Sequence, residues 1–277
     1  MQHLQWFPGH MTKAMRMMEE NLKAVDGVLI VLDARAPKAS LNNKLNKLFE
    51  NKKVLYVLNK SDLADQIKLK KVIEEFRAEG KAVLAITAMD KRAVDTLYEK
   101  LFSLLKDKLE RNKLKGVFKP IRIMVAGIPN TGKSTIINAL CGGKKAVTGD
   151  KAGVTKGKQW VRLRELELLD TPGTMPPAFE NQTLAKHLAY IGSMNDANID
   201  FVDLAFEFLK EIKETYPQLI TAKYGIEDCS VGPLELFNAI CVRRGFLMKG
   251  GEYDYDRCAV AVIDDFRKGR LGKIVLD

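Results

Sequence analysis

The segment Gly127-Ile128-Pro129-Asn130-Thr131-Gly132-Lys133-Ser134 follows an apolar run of strand length at 121–126 and precedes a helical run at 135–140. It matches G-x-x-x-x-G-K-[ST], and the strand before it and the helix after it separate a phosphate-binding loop from a chance match. Glycines let backbone N–H groups converge on phosphate oxygens at a helix N-terminus, Lys133 neutralises the β- and γ-phosphates, and Ser134 offers its hydroxyl to Mg²⁺. Asn130, Thr131, Gly132 and Thr135 are counted with them as nucleotide-binding residues.

Downstream, an apolar run at 166–169 ends in Asp170-Thr171-Pro172-Gly173. Asp170 can hold Mg²⁺ through water, and the Gly173 N–H can meet a γ-phosphate. Upstream, Asn59-Lys60-Ser61-Asp62 closes a strand-length run at 54–58. A carboxylate at Asp62 accepts hydrogen bonds from both the ring N–H and the exocyclic amine of guanine, whereas adenine presents an acceptor at its ring nitrogen and leaves an oxygen unpaired. The base implied is guanine. Asn59 and Lys60 belong to the same motif, and Thr87-Ala88, after a run ending at Ile86, are expected to back the base through main-chain groups.

Apolar runs at 28–33, 53–59, 82–87 and 121–127 alternate with helical stretches at 41–50, 66–79 and 92–111. This predicts an α/β fold with a mostly parallel sheet covered on both faces and ligands beyond the carboxyl ends of its strands. Met11, Met15, Met18 and Leu22 recur at helical spacing beside Lys13, Arg16, Glu19 and Glu20, so an amphipathic helix is expected after the Pro8-Gly9 turn. The basic stretch 111–120 reads as a linker. Beyond Pro176-Pro177 the periodicity is helical at 182–191, 201–216, 234–244 and 255–268, with no convincing strand. The chain is therefore divided into 1–178, carrying the nucleotide motifs, and 179–277, a small all-helical domain.

The 277 residues include 45 Lys and Arg against 35 Asp and Glu, a formal charge of +10 that favours polyanionic partners such as RNA or an anionic membrane surface. With 46% hydrophobic and 29% charged residues, the chain has an ordinary globular composition and is not expected to be disordered. Cys141, Cys229, Cys241 and Cys258 form no C-x-x-C pair, so neither a zinc knuckle nor a disulfide framework is indicated. No apolar run approaches the ~20 residues of a membrane span, and the N-terminal segment lacks the features of a signal or transit peptide, which predicts a cytoplasmic protein.

The order of the motifs is unusual. In translation-factor-like GTPases the phosphate loop comes first and N-K-x-D last; here N-K-x-D (59–62) precedes the phosphate loop (127–134) and D-x-x-G (170–173) comes at the end. The chain thus resembles a circularly permuted P-loop GTPase, with 111–120 as the new join, a rearrangement tolerated because domain termini usually lie close together. With Trp6-Phe7-Pro8-Gly9-His10-Met11 at the front and a helical segment at the back, it is similar to the ribosome biogenesis GTPase A, or YlqF-like, family.

That resemblance implies a GTPase using Mg²⁺ held by Ser134, Asp170 and a switch threonine, for which Thr155 in Gly153-Val154-Thr155-Lys156-Gly157 is the first candidate and Thr148 the weaker one. It matches Asn130 to an asparagine that helps coordinate K⁺ in potassium-dependent relatives; a turn-forming role is the alternative reading. Thr174 stands where Ras-like enzymes carry a water-orienting glutamine, and the family suggests His10 instead, alongside Lys133 and Gly173 in the catalytic set. A helix-capping or RNA-contacting His10 remains the other possibility. Around the switch, Lys144, Lys145, Lys151, Lys156, Lys158, Arg162 and Arg164 stand against Asp150 alone, a basic surface that could meet RNA phosphates. The implied partners are GTP or GDP, rRNA and the large ribosomal subunit or its precursor, with no DNA, for a monomer slow alone and stimulated by ribosomal particles. The alternatives are a GTP-regulated protein- or membrane-binding switch and an RNA-binding module with a vestigial pocket.

Overall fold

In the computed structural model, which describes residues 9–116, 119–143, 159–176, 179 and 181–277, helix and strand alternate from the outset. Helix α1 (Gly9–Asn21) leads to β1 (Gly27–Asp33), α2 (Asn43–Leu48), β2 (Lys53–Asn59), α3 (Gln66–Ala78), β3 (Ala82–Ala85), α4 (Lys91–Leu104) and α5 (Lys106–Leu114). Then come β4 (Ile121–Ala126), α6 (Lys133–Leu140), β5 (Gln159–Leu163) and β6 (Leu166–Asp170). The strands form one six-stranded sheet in the order β3-β2-β1-β4-β6-β5, parallel throughout except where β5 runs against β6.

Every residue of β1 is buried, because β2 and β4 flank it and helices cover both of its faces. A strand in that position has no solvent side, which is why its sequence is an unbroken apolar run. Val28, Ile30 and Leu32 join the core under α1, α2 and α3, whereas Leu29 and Val31 join the one under α4 and α6. The register sets Asp33 beside Asn59 and Val125 beside Asp170, so the polar strand ends emerge together along one edge.

Three departures from the sequence reading have local causes. The helix expected over 92–111 breaks at Leu105 into α4 and α5, and α5 runs on to Leu114, so part of the expected linker is helix. Strand β5 was not anticipated; it forms a hairpin with β6 through Arg164, which adopts a left-handed φ of 48°. Helix α9 (Pro217–Tyr224) lies outside the expected helical stretches, between a proline at its first turn and the left-handed Gly225.

The remaining helices are α7 (Gln182–Tyr190), α8 (Phe201–Thr215), α10 (Pro233–Arg244) and α11 (Tyr255–Arg267), with the side chains of Asn181, Asp200 and Asp254 capping α7, α8 and α11. Phe208 of α8 is central, 5.1 Å from the Tyr190 ring and 4.9 Å from Phe266. This helical core also takes in Met11, Ala36, Ala39 and Ile128 from the sheet region, and Val275 inserts into the sheet core in return. The chain end runs back along the sheet region: the Ile274 N–H donates to Leu63 O, the Leu276 N–H to Arg35 O, and the Asp277 carboxylate accepts from the Lys38 and Ala39 N–H groups. His187 bridges Glu211 (2.8 Å) and Asp277 (3.4 Å). Burial works against its charge, but the two carboxylates outweigh it and raise its pKa to about 9, so the clamp is ion-paired at neutral pH.

Candidate nucleotide-binding site

The loop after β4 depends on glycine at two points. Gly127 has φ 144°, and a Cβ there would lie 2.4 Å from Val31 O; Gly132 has φ 91°, and a Cβ would lie 2.3 Å from Asn59 Nδ2. Only glycine lets the loop press against β1 and the end of β2 in this way. Gly132 is the N-cap of α6 and supplies no side-chain cap, as suits a helix N-terminus that faces an anion. Lys133, the first helical residue, is buried and donates from Nζ to Ile128 O at 2.8 Å. Burial lowers its pKa to about 8, against the opposing pull of Asp170.

Ser134 Oγ donates to Asp170 Oδ2 at 2.8 Å, so the hydroxyl and the carboxylate expected to serve Mg²⁺ are already adjacent. Two hard oxygen donors beside a phosphate loop fit that ion. The Thr171 hydroxyl ties the D-x-x-G segment to Val125 O of β4 at 2.7 Å. A Cβ on Gly173 would meet Pro129 N at 2.6 Å, so this position too requires glycine for the segment to close on the phosphate loop. Thr174 points inward: it is fully buried, its N–H donates to Gly127 O, and its hydroxyl has no partner among the described residues. It therefore offers no replacement for the absent glutamine.

At the base end, Asn59 ties three segments together, donating from Nδ2 to Thr131 O (2.9 Å) and accepting at Oδ1 from the Ala88 N–H (3.1 Å). The Ala88 N–H is thus engaged within the protein. Asp62 is exposed, and Thr87 holds it from two sides: the Thr87 hydroxyl donates to Asp62 Oδ1 at 3.1 Å and lies 3.2 Å from the Asp62 N–H. Lys60, with a left-handed φ of 61°, donates to Asn130 O (2.7 Å) and pairs with Asp33 (2.9 Å). Asp33 and Arg35 were not singled out from the sequence. Both are buried and form an ion pair of 2.8 Å, and Arg35 and Lys60 together hold the Asp33 carboxyl far below its usual range against the effect of burial. The available signal was an Asp-Ala-Arg at the end of an otherwise apolar strand.

His10 lies in the first turn of α1, but its side chain is outside the described residues, as are Thr148, Thr155, Trp6, Phe7 and the lysines at 144, 145, 151, 156 and 158. Among the described residues, no helix is long and apolar enough to cross a membrane.

A phosphate loop at the end of β4, an N-K-x-D loop at the end of β2 and a D-x-x-G turn after β6, all on one edge of the sheet, define a circularly permuted P-loop GTPase. A family model described as a 50S ribosome-binding GTPase matches residues 122–226. Ribosome biogenesis GTPase A of Priestia megaterium is 40% identical, with 99% of this chain and 96% of the relative covered, and that of Thermotoga maritima is 33% identical, with 98% and 93% covered. The crystal structure of GNP-bound YlqF from T. maritima superposes with a TM-score of 0.67 at 30% identity, covering 96% of this chain and 97% of that one. The chain belongs to the ribosome biogenesis GTPase A family.

The exposed Asp62 carboxylate gives a direct test of base selection. Asp62→Asn exchanges an acceptor for a donor at the base edge, so GTP affinity should fall at least ~10-fold while xanthosine triphosphate, whose extra carbonyl can accept, gains. Competition binding with the two nucleotides measures this, and unchanged GTP affinity removes Asp62 from the base site.

Proposed function

We propose that this GTPase acts in the cytoplasm as a monomeric assembly factor for the large ribosomal subunit, docking on rRNA with GTP bound and leaving after hydrolysis. The observation that carries the reading is the near full-length similarity to ribosome biogenesis GTPase A. The +10 charge supports an RNA partner. The division into a nucleotide-binding part at 1–178 and a helical, rRNA-facing part at 179–277 belongs to the same proposal.

In this reading Asp62, held by Thr87, recognises guanine, and the Ala88 main chain, anchored by its N–H to Asn59, lies behind the base. Asn59 and Lys60 fix the base loop to the phosphate loop. The N–H groups around Asn130, Thr131, Gly132, Ser134 and Thr135 receive the phosphates, and Lys133 balances their charge. Ser134, Asp170 and Thr155 would hold Mg²⁺, which neutralises the β- and γ-oxygens when bound. The Gly173 N–H meets the γ-phosphate, which makes the D-x-x-G turn sensitive to hydrolysis. His10 positions the attacking water, as an imidazole can. Asn130 would contribute its side-chain oxygen to K⁺.

Sedimentation tests the partner. The protein should co-sediment with large subunits or their precursors in a non-hydrolysable GTP analogue, less so in GDP, and binding should weaken steeply as salt rises because counterions return to the rRNA. Sedimentation with small subunits alone, or with neither, would overturn the proposal.

A further inference from the structure

The four residues after α7, Ile191-Gly192-Ser193-Met194, touch the phosphate loop at two consecutive positions. Ser193, 1% exposed, donates from its hydroxyl to Pro129 O at 2.8 Å. Asn130 donates from Nδ2 to Gly192 O at 2.6 Å. Proline has no N–H, so the main chain at residue 129 can be held by hydrogen bonding only through its carbonyl, and Ser193 supplies a donor. Gly173 closes on the same proline, so Pro129 is met by both the D-x-x-G turn and the helical region.

The contact is braced from behind. Arg267 of α11 donates from Nε to Tyr190 O (3.0 Å) and from Nη2 to Ala189 O (2.8 Å), and pairs with Asp196 (2.7 Å). Gly192 has φ 76°, and a Cβ on it would lie 3.2 Å from the Arg267 guanidinium carbon. The turn that presents Gly192 O and Ser193 Oγ is therefore fixed by the last helix of the chain, the Arg267–Tyr190 bond spanning 77 residues of sequence.

We propose that Ser193 and the Gly192 carbonyl are further positioning elements of the phosphate loop and set how long nucleotide stays bound, so that a partner engaging the helical region acts on nucleotide release through Pro129 and Asn130. Backbone N–H groups bind phosphate well only when they already converge, and the contact keeps them so. Coupling of this kind is reciprocal: a bound nucleotide that orders the loop also favours the braced position of the turn after α7. The inference rests on residues 127–134 being the nucleotide site.

The test is the release rate of fluorescently labelled GDP, with steady-state kinetics and thermal melting on the full chain. Ser193→Ala should release GDP about five- to tenfold faster, the effect of one lost hydrogen bond, and raise KM for GTP similarly, with kcat within about twofold of wild type. Ser193→Thr, which keeps the hydroxyl, should restore slow release. Release from Ser193→Ala within about twofold of wild type, or a fall in kcat with KM unchanged, overturns the proposal. If Ser193→Ala does not fold, Arg267→Ala decides it: faster release supports the latch and an unchanged rate rejects it. Failure of the wild-type protein to bind labelled GDP would instead reject the nucleotide site itself.

Discussion

Lys133→Ala should lower kcat/KM for GTP by ~10³ while the protein remains folded. The ammonium is buried against Ile128 O, and burial has brought its pKa down to about 8 despite Asp170 nearby. It is still mostly charged at pH 7, but has given up most of its water. Two phosphates arriving beside it restore a favourable partner, and water cannot substitute for the lost ammonium at a buried position. The sign of the pH dependence follows. A bound triphosphate raises the lysine pKa, so above pH 8 the free protein must take up a proton to bind, and wild-type affinity for GTP should fall as pH rises beyond that point. Lys133→Ala should show no such fall over the same interval. Turnover near wild type in the variant, with its melting curve unchanged, would remove Lys133 from the phosphate site.

Features carried by neighbouring residues were legible in the sequence, and features made by distant ones were not. Residues 127–134 could be read because the phosphate loop is a continuous stretch whose strand and helix flank it directly. Strands β1, β2 and β4 could be read because central parallel strands are buried on both faces and so appear as long apolar runs. Strand β5 is at the sheet edge, where buried Val161 is followed by exposed Arg162, and charges of that kind protect edges while hiding the strand pattern. Helix α9 buries only Ile220 and Tyr224, one turn apart, too short a stripe to register as a period. The role of Asp33 depends on β1 and β2 being in register, which brings it to Lys60, and the bond between Asn130 and Gly192 spans 62 residues. Neither contact has a local signature.

Large ribosomal subunits should raise GTP turnover by ~10³, the scale reached when a partner completes a GTPase site. The physical reason lies in what the free protein lacks. Thr174 occupies the glutamine position with its side chain buried, so that side chain cannot orient water. A site of this kind should be slow alone, and on the proposed roles of His10 and Thr155 it gains most from a partner that holds both at the nucleotide. His10→Ala should then remove most of the stimulation, by ~10² or more, while leaving nucleotide affinity nearly intact; a loss of affinity with normal turnover would mean a structural role. Potassium enters the same assay: turnover should be faster in KCl than in NaCl at equal ionic strength, and equal rates would leave Asn130 a structural role that includes its contacts to Lys60 and Gly192. The decisive comparison is turnover with purified small subunits, large subunits or neither, each at two salt concentrations. Stimulation should be confined to large subunits and fade at high salt, because rRNA phosphates that the protein neutralises must recover their counterions when the complex parts. Stimulation by small subunits alone would overturn the large-subunit proposal, and stimulation by neither would return the basic surface to the competing reading of a protein- or membrane-binding switch.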